Sequence, residues 1–382
     1  MQRSFKGAAV GSSFSDFRDA RFNQDSSCLA VSCATGFRIY NCNPFALAKN
    51  RDLSGHARGT LRTVEMMYRC NIIAIIGDSA LPSDVSSKRS AHKGPLWQGN
   101  VLILWDDKAG CEVAQLVFNK EILNVKLSRN LLVVAVEDKL YVYQLQTVKL
   151  LDTFSTWYNP QGLCALSENE AINVLAFPGS HRGTLCVRLY HTDSGIDTFS
   201  ADDSVLIEAH ESDICAVGLS IDGLLVVTAS SCGTFVRLWS ALSGIKLQEF
   251  RKSAGGGVLR ICHLSQDTHF LCTVSDSDVV CVYRVRLRAK AKRRVTPGGT
   301  GCISDAISSP SSSRICLPLK ILRHTRLYLE APSPYSRFRS PASVMAATFL
   351  PNTNNLLLVL ANGRVHRLSI ASHFKLLGNH AL

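Results

Sequence analysis

Five side chains that could coordinate a phosphate group lie between residues 209 and 253. They are His210, Ser230, Thr234, Arg237 and Arg251. A guanidinium offers a planar fork of N–H donors that matches phosphate oxygens, and hydroxyl groups can fill the remaining acceptor positions. These residue types therefore predict an anion site, in which the arginines and the histidine cradle phosphates and the two hydroxyls complete the hydrogen bonds.

Short apolar runs, separated by glycine-containing turns, must position these side chains. Four such runs lie between residues 214 and 250, and the turns carry Asp222-Gly223, Cys232-Gly233 and Ser243-Gly244. Four strands within about forty residues are the unit of a β-propeller blade. The five candidate side chains are then expected to face outward at the rim of this blade.

The same pattern recurs along the chain, and no stretch shows sustained helical periodicity. The recurring strand clusters are Cys28–Asn41, Leu61–Trp105, Glu112–Gln144, Gly162–Tyr190, Ile214–Phe250, Leu259–Val285 and Val344–Ser369. Seven blades can close a ring and so protect their sheet edges. The sequence therefore predicts an all-β, WD40-like seven-bladed β-propeller as a single domain over residues 21–382. A polar lead-in at 1–20 precedes it, and a long basic insertion at 284–340 interrupts blade six.

Composition argues against several classes of protein. Of the 382 residues, 46% are apolar and 19% are charged, which allows a sizeable core. The 14 cysteines form no CxxC pair and the histidines lack metal-ligand spacing, so we expect free thiols in a reducing compartment and no cofactor or metal. The sequence has neither a GxSxG nor an HExxH motif, no secretion signal, and no apolar run long enough for a membrane span. We therefore expect a soluble, cytoplasmic protein that is not an enzyme.

Positive charge is concentrated in one segment. The net charge is +12, and residues 284–340 hold 13 Lys and Arg residues but only two acidic residues. The remainder of the chain is close to neutral. A basic segment on a neutral body favours a polyanionic partner, either an anionic lipid surface or, as the rival, nucleic acid.

Blocks of sequence along nearly the whole chain resemble the PROPPINs, a family of seven-bladed propellers that bind phosphoinositides. The blocks follow the family's order at compatible spacing: FNQDSSCLAV (22–31), TGFRIYNCNP (35–44), VEMMYRCNIIAIIG (64–77), VLILWDD (101–107), YNPQGLCAL (158–166), LAFPGSHRG (175–183), AHESDICAVGLS (209–220) and TASSCGTFVRLW (228–239). The WDD and NPQGLC forms are similar to the animal subgroup that partners the lipid-transfer protein of autophagy.

The resemblance implies two lipid sites of unequal quality. The family signature is FRRG or LRRG at the end of the fifth blade, and its two arginines serve separate sites. Here the signature reads Phe250-Arg251-Lys252-Ser253. The first site would use the five residues named above, because all of them stand in matching places. The lysine in the second signature position keeps the charge but loses the bidentate fork.

The second site is implied to be degraded. It would use Lys252 and Ser275, where the family usually has Ser-Asp-x-Gly-Thr-x-His after the sixth blade's second strand. In this chain Asp278 replaces the glycine, Val279 the threonine and Cys281 the histidine. Two donors are lost and a carboxylate that repels phosphate is gained. We therefore expect one competent phosphoinositide site and one weakened or dead site.

The resemblance implies a function for two further regions. The insertion 284–340 corresponds to a family loop that can dip into the membrane, and each basic residue near an anionic surface adds on the order of 1 kcal/mol. Its basic run comprises Arg288, Lys290, Lys292, Arg293 and Arg294. Asn23 and Asp25 resemble first-blade positions that contact the autophagy lipid-transfer protein. The implied function is a monomeric adaptor for phosphatidylinositol 3-phosphate, with the 3,5-bisphosphate as a second candidate, on phagophore or endosomal membranes, and no nucleic-acid partner is expected.

Plainer interpretations stay open for each feature. His210 could bond within its own blade, as histidines do in WD repeats. Asn23 and Asp25 could form a simple turn, and the insertion could be a solvated segment. The rival function is a WD-type scaffold that binds only proteins and uses its basic segment for nucleic acid or targeting.

Overall fold

Short antiparallel strands build the described part of the chain. The computed structural model describes residues 17–55, 60–78, 97–168, 172–191, 203–252, 257–287 and 332–382. Within these ranges it contains 28 β-strands and no helix. The strands form seven four-stranded sheets, which confirms the predicted seven-bladed β-propeller.

Each blade consists of four strands that are consecutive in the sequence and antiparallel to their neighbours. Blades 1 to 3 contain β1 Phe17–Phe22, β2 Cys28–Cys33, β3 Gly36–Cys42, β4 Phe45–Asp52; β5 Leu61–Met66, β6 Ile72–Gly77, β7 Val101–Asp106, β8 Cys111–Val117; β9 Asn124–Leu127, β10 Leu131–Ala135, β11 Lys139–Gln144 and β12 Lys149–Ser155. Blades 4 and 5 contain β13 Ala165–Glu168, β14 Ile172–Pro178, β15 Thr184–His191, β16 Asp203–Glu208; β17 Ile214–Leu219, β18 Leu225–Ser230, β19 Phe235–Ser240 and β20 Lys246–Arg251. Blades 6 and 7 contain β21 Leu259–Leu264, β22 Phe270–Ser275, β23 Val279–Arg284, β24 Ser336–Arg339; β25 Val344–Phe349, β26 Asn355–Leu360, β27 Arg364–Ser369 and β28 Lys375–Ala381.

The core consists of seven apolar clusters, one between each pair of neighbouring blades. Side chains on a strand alternate between the two faces of its sheet, so a central strand can serve two clusters. On β14, Leu175 and Phe177 pack towards blade 3, whereas Val174 and Ala176 pack towards blade 5. This explains why central strands such as β18 are buried along their whole length.

The ring closes between blades 7 and 1 without exchange of a strand. A cluster that includes Leu29, Tyr40 and Leu357 joins the two blades. The buried hydroxyls of Ser26 and Thr348 lie 2.6 Å apart across the same junction. Closure therefore depends on side-chain packing between two complete sheets.

Several predicted boundaries need correction. The sequence predicts that Glu112–Val117 belongs to the third blade, but β8 is the outer strand of blade 2. The first blade includes residues of the predicted lead-in 1–20, because β1, which starts at Phe17, pairs with β2. The insertion in blade six is shorter than 284–340, because Arg284 ends β23 and β24 is the fourth strand of that sheet.

The turns of blade 5 are formed as predicted at two of their glycines. Gly223 and Gly244 have φ angles of +70° and +66°, a backbone region that disfavours residues with a Cβ atom. These turns fix the register of β17 to β20, and that register decides which side chains share a face.

Candidate anion-binding site

The register of blade 5 places three of the predicted site residues on one face of the sheet. Arg237 pairs with Glu249 between β19 and β20, and Phe235 pairs with Arg251. Arg237 also pairs with Thr228 on β18, and Ser230 lies two residues further along that strand. Residues two apart on a strand share a face, so Ser230, Arg237 and Arg251 all face blade 4. Arg237 and Arg251 are diagonal neighbours on adjacent strands, positions that lie about 7–8 Å apart.

Arg237 is held by partners within the protein. Its Nε donates to Glu249 Oε1 at 2.9 Å, and its Nη1 donates to the carbonyl oxygen of Ala209 at 2.6 Å. Lys246 Nζ donates to the same carboxylate oxygen at 2.7 Å. Burial acts to raise the pKa of Glu249, but the hydrogen bonds from Lys246 and Arg237 outweigh it and hold the pKa below its ordinary value. Glu249 therefore stays ionised and offsets part of the positive charge at the site.

His210 is directed into its own blade. Its Nε2 lies 2.9 Å from Thr228 Oγ1, which also accepts a hydrogen bond from the indole of Trp239 at 2.9 Å. Burial, together with repulsion from Arg237, lowers the pKa of His210 to about 4. The ring is therefore neutral at physiological pH and cannot attract a phosphate by charge. These contacts fit the interpretation that His210 bonds within its own blade better than the interpretation that it binds phosphate directly.

Arg251 is the exposed member of the set. Its backbone is fixed on both sides, because its N–H donates to the carbonyl of Pro332 at 3.1 Å and its carbonyl accepts from Tyr283 Oη at 3.0 Å. The side chain is exposed, and within the described ranges its guanidinium has no hydrogen-bond or ion-pair partner. Thr234 is also exposed and its carbonyl accepts the N–H of Lys252, whereas Ser230 is 2% exposed.

The positions of the second site are largely apolar. Val279 and Cys281 are buried in the cluster between blades 5 and 6, together with Phe250 and Tyr283. Burial raises the pKa of Cys215, a member of this cluster, to about 11, and the positive charge of Lys252 acts against this rise.

The remaining polar side chains of the second site are bonded locally. Ser275 is buried, and its Oγ lies 2.9 Å from Ser277 Oγ. Asp278 has a φ of +60°, and its carboxylate accepts from Arg260 at 3.1 Å and from the N–H of Val344 at 3.1 Å. The carboxylate of Asp278 thus joins blades 6 and 7.

The two predicted partner-binding residues differ in accessibility. Asn23 is 4% exposed, and its amide bonds to Ser27, to the N–H of Cys28 and to the carbonyl of Tyr68. Asn23 therefore closes the turn, and its contact with a partner stays a prediction. Asp25 is partly exposed and accepts the N–H of Ser27 at 3.0 Å.

A charged cluster that the sequence does not reveal lies at the propeller axis, where the first strands of the blades surround a cavity of about 640 Å³. Arg21 bonds to Asp19 at 2.9 Å and to Glu65 at 3.2 Å, and Lys126 bonds to Glu65 at 3.1 Å. Burial acts to raise the pKa of Asp19, but attraction to Arg21 keeps it below its ordinary value. The opposite charges of Asp19, Arg21, Glu65 and Lys126 offset one another. We therefore interpret the cluster as a set of ion pairs that connects blades 1, 2 and 3. No sequence motif signals it, since the members lie on three separate strands.

Some predictions fall outside the described residues. Arg288, Lys290, Lys292, Arg293 and Arg294 all lie there. Across the described ranges, the structure holds no helix that is long and apolar enough to cross a membrane. The same ranges contain no cluster of three or more His, Cys, Asp or Glu side chains that could hold a metal ion.

Comparison with known sequences links the chain to one family. The sequence model described as PROPPIN matches residues 17–304. Autophagy-related protein 18 of Komagataella pastoris is 31% identical over 295 residues, which are 70% of this chain and 51% of that protein. Autophagy-related protein 18e of Arabidopsis thaliana is 28% identical over 346 residues, which are 91% of this chain and 81% of that protein. The chain thus spans about half the length of the first relative and most of the second.

Solved structures share the propeller. Kluyveromyces lactis Hsv2 aligns with a TM-score of 0.67 at 19% identity, over 96% of this chain and 99% of that chain. A complex of KlAtg21 with the coiled-coil of AgAtg16 aligns with a TM-score of 0.63 at 19% identity, with the same coverage. At this level of identity the likeness supports the fold alone.

Proposed function

The chain belongs to the PROPPIN family, and from this premise we propose that it is a non-enzymatic membrane adaptor that binds phosphoinositides in autophagy. The curated relatives are autophagy-related proteins, which supports the setting. The proposed lipid is phosphatidylinositol 3-phosphate, with the 3,5-bisphosphate as a second candidate. The proposed location is the cytoplasmic surface of phagophore or endosomal membranes.

The exposed guanidinium of Arg251 is the observation that carries this proposal. It stands at the end of an outer strand with a fixed backbone and, within the described ranges, no internal partner. A free, planar fork of donors at a surface is suited to bidentate binding of a phosphate. Thr234 is exposed one residue before Phe235, the partner of Arg251, whereas Ser230 lies on the same face as Arg251 but is buried.

Arg237 and His210 take supporting roles in this proposal. Arg237 ties the segment before blade 5 to the outer strand through Ala209 and Glu249, and its remaining N–H donors can still face a phosphate. His210 holds Thr228 and thereby the strand that carries Ser230. The lipid site is thus centred on Arg251, with Arg237 contributing charge that Glu249 partly neutralises.

The second lipid site is proposed to be weak. Lys252 and Ser275 are retained there, but Val279 and Cys281 offer the headgroup no strong donors. Membrane residence then depends on one pocket and on the surface attraction of the basic insertion. Recruitment of a protein partner, proposed to be the autophagy lipid-transfer protein, would use the exposed surface around Asp25.

Flotation with liposomes of matched surface charge tests the lipid role. One set carries phosphatidylinositol 3-phosphate, and the other carries enough phosphatidylserine to give the same charge. At moderate salt we expect the protein to float with the liposomes that carry phosphatidylinositol 3-phosphate. We expect it to dissociate from the phosphatidylserine liposomes, because salt screens an attraction that depends on charge alone. Equal flotation with both sets, lost together as salt rises, would contradict the proposal.

The same experiment addresses the rival function. The Arg237–Glu249 pair and the apolar second site are what a WD-type scaffold without lipid specificity would also show. Such a scaffold predicts no preference for a 3-phosphorylated headgroup at any salt concentration.

A further inference from the structure

The outer strands of blades 6 and 7, β24 and β28, differ in charge from those of the other blades. The outer strands of blades 1 to 5 each carry at least one Asp or Glu, whereas β24 and β28 carry none. Their exposed cations are Arg337 and Arg339 on β24 and Lys375 on β28. We call these two strands, together with residues 284–287 at the end of β23, the blade 6/7 rim.

Aromatic contacts join the two outer strands into one surface. Phe338 on β24 and Phe374, just before β28, have ring centroids 5.9 Å apart. Tyr335 stacks on His373 at 5.6 Å, and the guanidinium of Arg284 lies 4.1 Å from the centroid of the Tyr335 ring. The rim is therefore continuous across the junction of blades 6 and 7.

A β-bulge exposes two successive leucines on β28. The register between β27 and β28 shifts at this point, and Leu377 has no partner in the ladder. Side chains on a regular strand alternate between its two faces, but a bulge interrupts this alternation. Leu376 and Leu377 are accordingly 49% and 50% exposed. The rim thus carries an apolar pair beside Lys375.

Neighbouring carboxylates do not cancel the positive charge of the rim. Five cations of the rim form no ion pair with any described carboxylate: Arg284, Arg286, Arg337, Arg339 and Lys375.

The carboxylates of blades 6 and 7 are few and have partners of their own. Residues 344–382, which form blade 7, contain no Asp or Glu. In blade 6, Asp278 is paired with Arg260, Asp267 is bonded to His269, and Asp276 accepts a backbone N–H. Only Asp267 and Asp276 lack a permanently charged partner, so five cations exceed them and the rim stays positive.

We propose that the blade 6/7 rim lies on an anionic lipid bilayer and that Leu376 and Leu377 enter its interfacial region. Anionic headgroups attract the Lys and Arg side chains, and the leucines gain free energy by leaving water. A bilayer accounts for both the charge and the leucine pair, whereas a nucleic acid accounts for the charge alone. The rim adjoins blade 5, which carries Arg251, through the apolar cluster between blades 5 and 6. The inference rests on the proposed membrane role and adds a contact on blade 7, outside either headgroup site.

Insertion of the leucine pair is tested by fluorescence quenching. Leu377→Trp is bound to vesicles of brominated phosphatidylcholine, phosphatidylserine and phosphatidylinositol 3-phosphate, and the signal of the wild-type protein is subtracted. Val117→Trp is the control, because Val117 is 67% exposed on β8, an outer strand that also contains Glu112. We expect the brominated lipid to quench the added tryptophan of Leu377→Trp and not that of Val117→Trp. Vesicle binding without quenching at Leu377 would leave the rim to a protein partner and overturn the proposal.

The contribution of the leucines to affinity is measured with unbrominated vesicles of the same composition. Leu376→Ser, Leu377→Ser is compared with Val113→Ser, Val117→Ser, which also removes two exposed apolar side chains from an outer strand. We expect the leucine variant to bind at least about fivefold more weakly and the valine variant to change by less than about twofold. Equal losses would contradict insertion at the rim.

The contribution of charge is measured by raising the phosphatidylserine content. The rim variant is Arg337→Gln, Arg339→Gln, Lys375→Gln, and the control of equal charge is Lys108→Gln, Lys139→Gln, Lys149→Gln on blades 2 and 3. At high phosphatidylserine content we expect the rim variant to lose at least about tenfold in affinity and the control about threefold or less.

The wild-type protein separates failure of this inference from failure of the proposed function. No binding of wild type to any of these vesicles would overturn the membrane role and the inference together. Wild-type binding that the Leu376→Ser, Leu377→Ser change leaves intact would overturn the inference alone.

Discussion

At the scale of single residues, two arginines of the same blade have different roles because their cross-strand neighbours differ. Arg237 stands opposite Glu249, whereas Arg251 stands opposite Phe235. The sequence could identify both as candidate phosphate ligands by residue type. It could not show the pairing with Glu249, because that depends on the irregular register between Leu238 and Trp239.

Removal of the Glu249 charge is expected to strengthen lipid binding. Unit charges about 7 Å apart in water interact by about 0.6 kcal/mol, so Glu249→Gln should raise affinity for phosphatidylinositol 3-phosphate vesicles about threefold. Isothermal titration with such vesicles measures the effect, and Glu121→Gln, in the connection between blades 2 and 3, is the matched control. A loss of affinity would instead mean that the Arg237–Glu249 pair is needed to shape the site.

The neutral state of His210 makes stability depend on pH. Its pKa is about 4 in the folded protein and about 6.5 in an unfolded chain, so the unfolded state binds the proton more readily. Its contribution to stability is complete above about pH 6.5 and is lost as the pH falls towards 4. Urea unfolding at pH 7 and pH 4.5 should show a smaller decline for His210→Gln than for wild type. The exposed-site control His269→Gln should decline as wild type does, and an unchanged decline in His210→Gln would contradict this account.

At the scale of elements, the sequence predicts the positions of the central strands well. It predicts less well to which blade each outer strand belongs. Buried central strands such as β6 and β10 are continuous apolar runs, so they stand out in the sequence. Outer strands such as β8 and β16 pack on one face only and carry little apolar signal. For this reason the sequence places β8 in the wrong blade and does not reveal β16.

Substitution of Asp278 tests how its carboxylate and its backbone conformation each contribute to the stability of the turn between β22 and β23. Its φ of +60° disfavours any residue with a Cβ, yet its carboxylate joins Arg260 and the N–H of Val344. Loss of these bonds in Asp278→Ala should cost about 1–3 kcal/mol of unfolding free energy. Asp278→Gly should cost about 1 kcal/mol less, because glycine relieves the backbone strain. Chemical denaturation measures both variants, and equal losses would show that backbone strain is not significant at this turn.

At the scale of the whole molecule, the ring is held by seven similar interfaces, and the closing one has no strand crossing it. Leu357 is fully buried in the cluster between blades 7 and 1. Leu357→Ala should lower the unfolding free energy by about 2–5 kcal/mol. Leu377→Ala, at a position that is 50% exposed on β28, should change it by less than about 0.5 kcal/mol. Similar small effects from both variants would mean that the ring does not depend on this junction.

The most direct test of the central claim compares Arg251→Ala with Lys252→Ala in binding to vesicles that contain phosphatidylinositol 3-phosphate. Both variants remove one positive charge from adjacent positions, so non-specific attraction falls equally. We expect Arg251→Ala to lose at least about tenfold in affinity, or about 1.4 kcal/mol, and Lys252→Ala to lose about threefold or less. Equal losses from the two variants would contradict a single lipid site centred on Arg251.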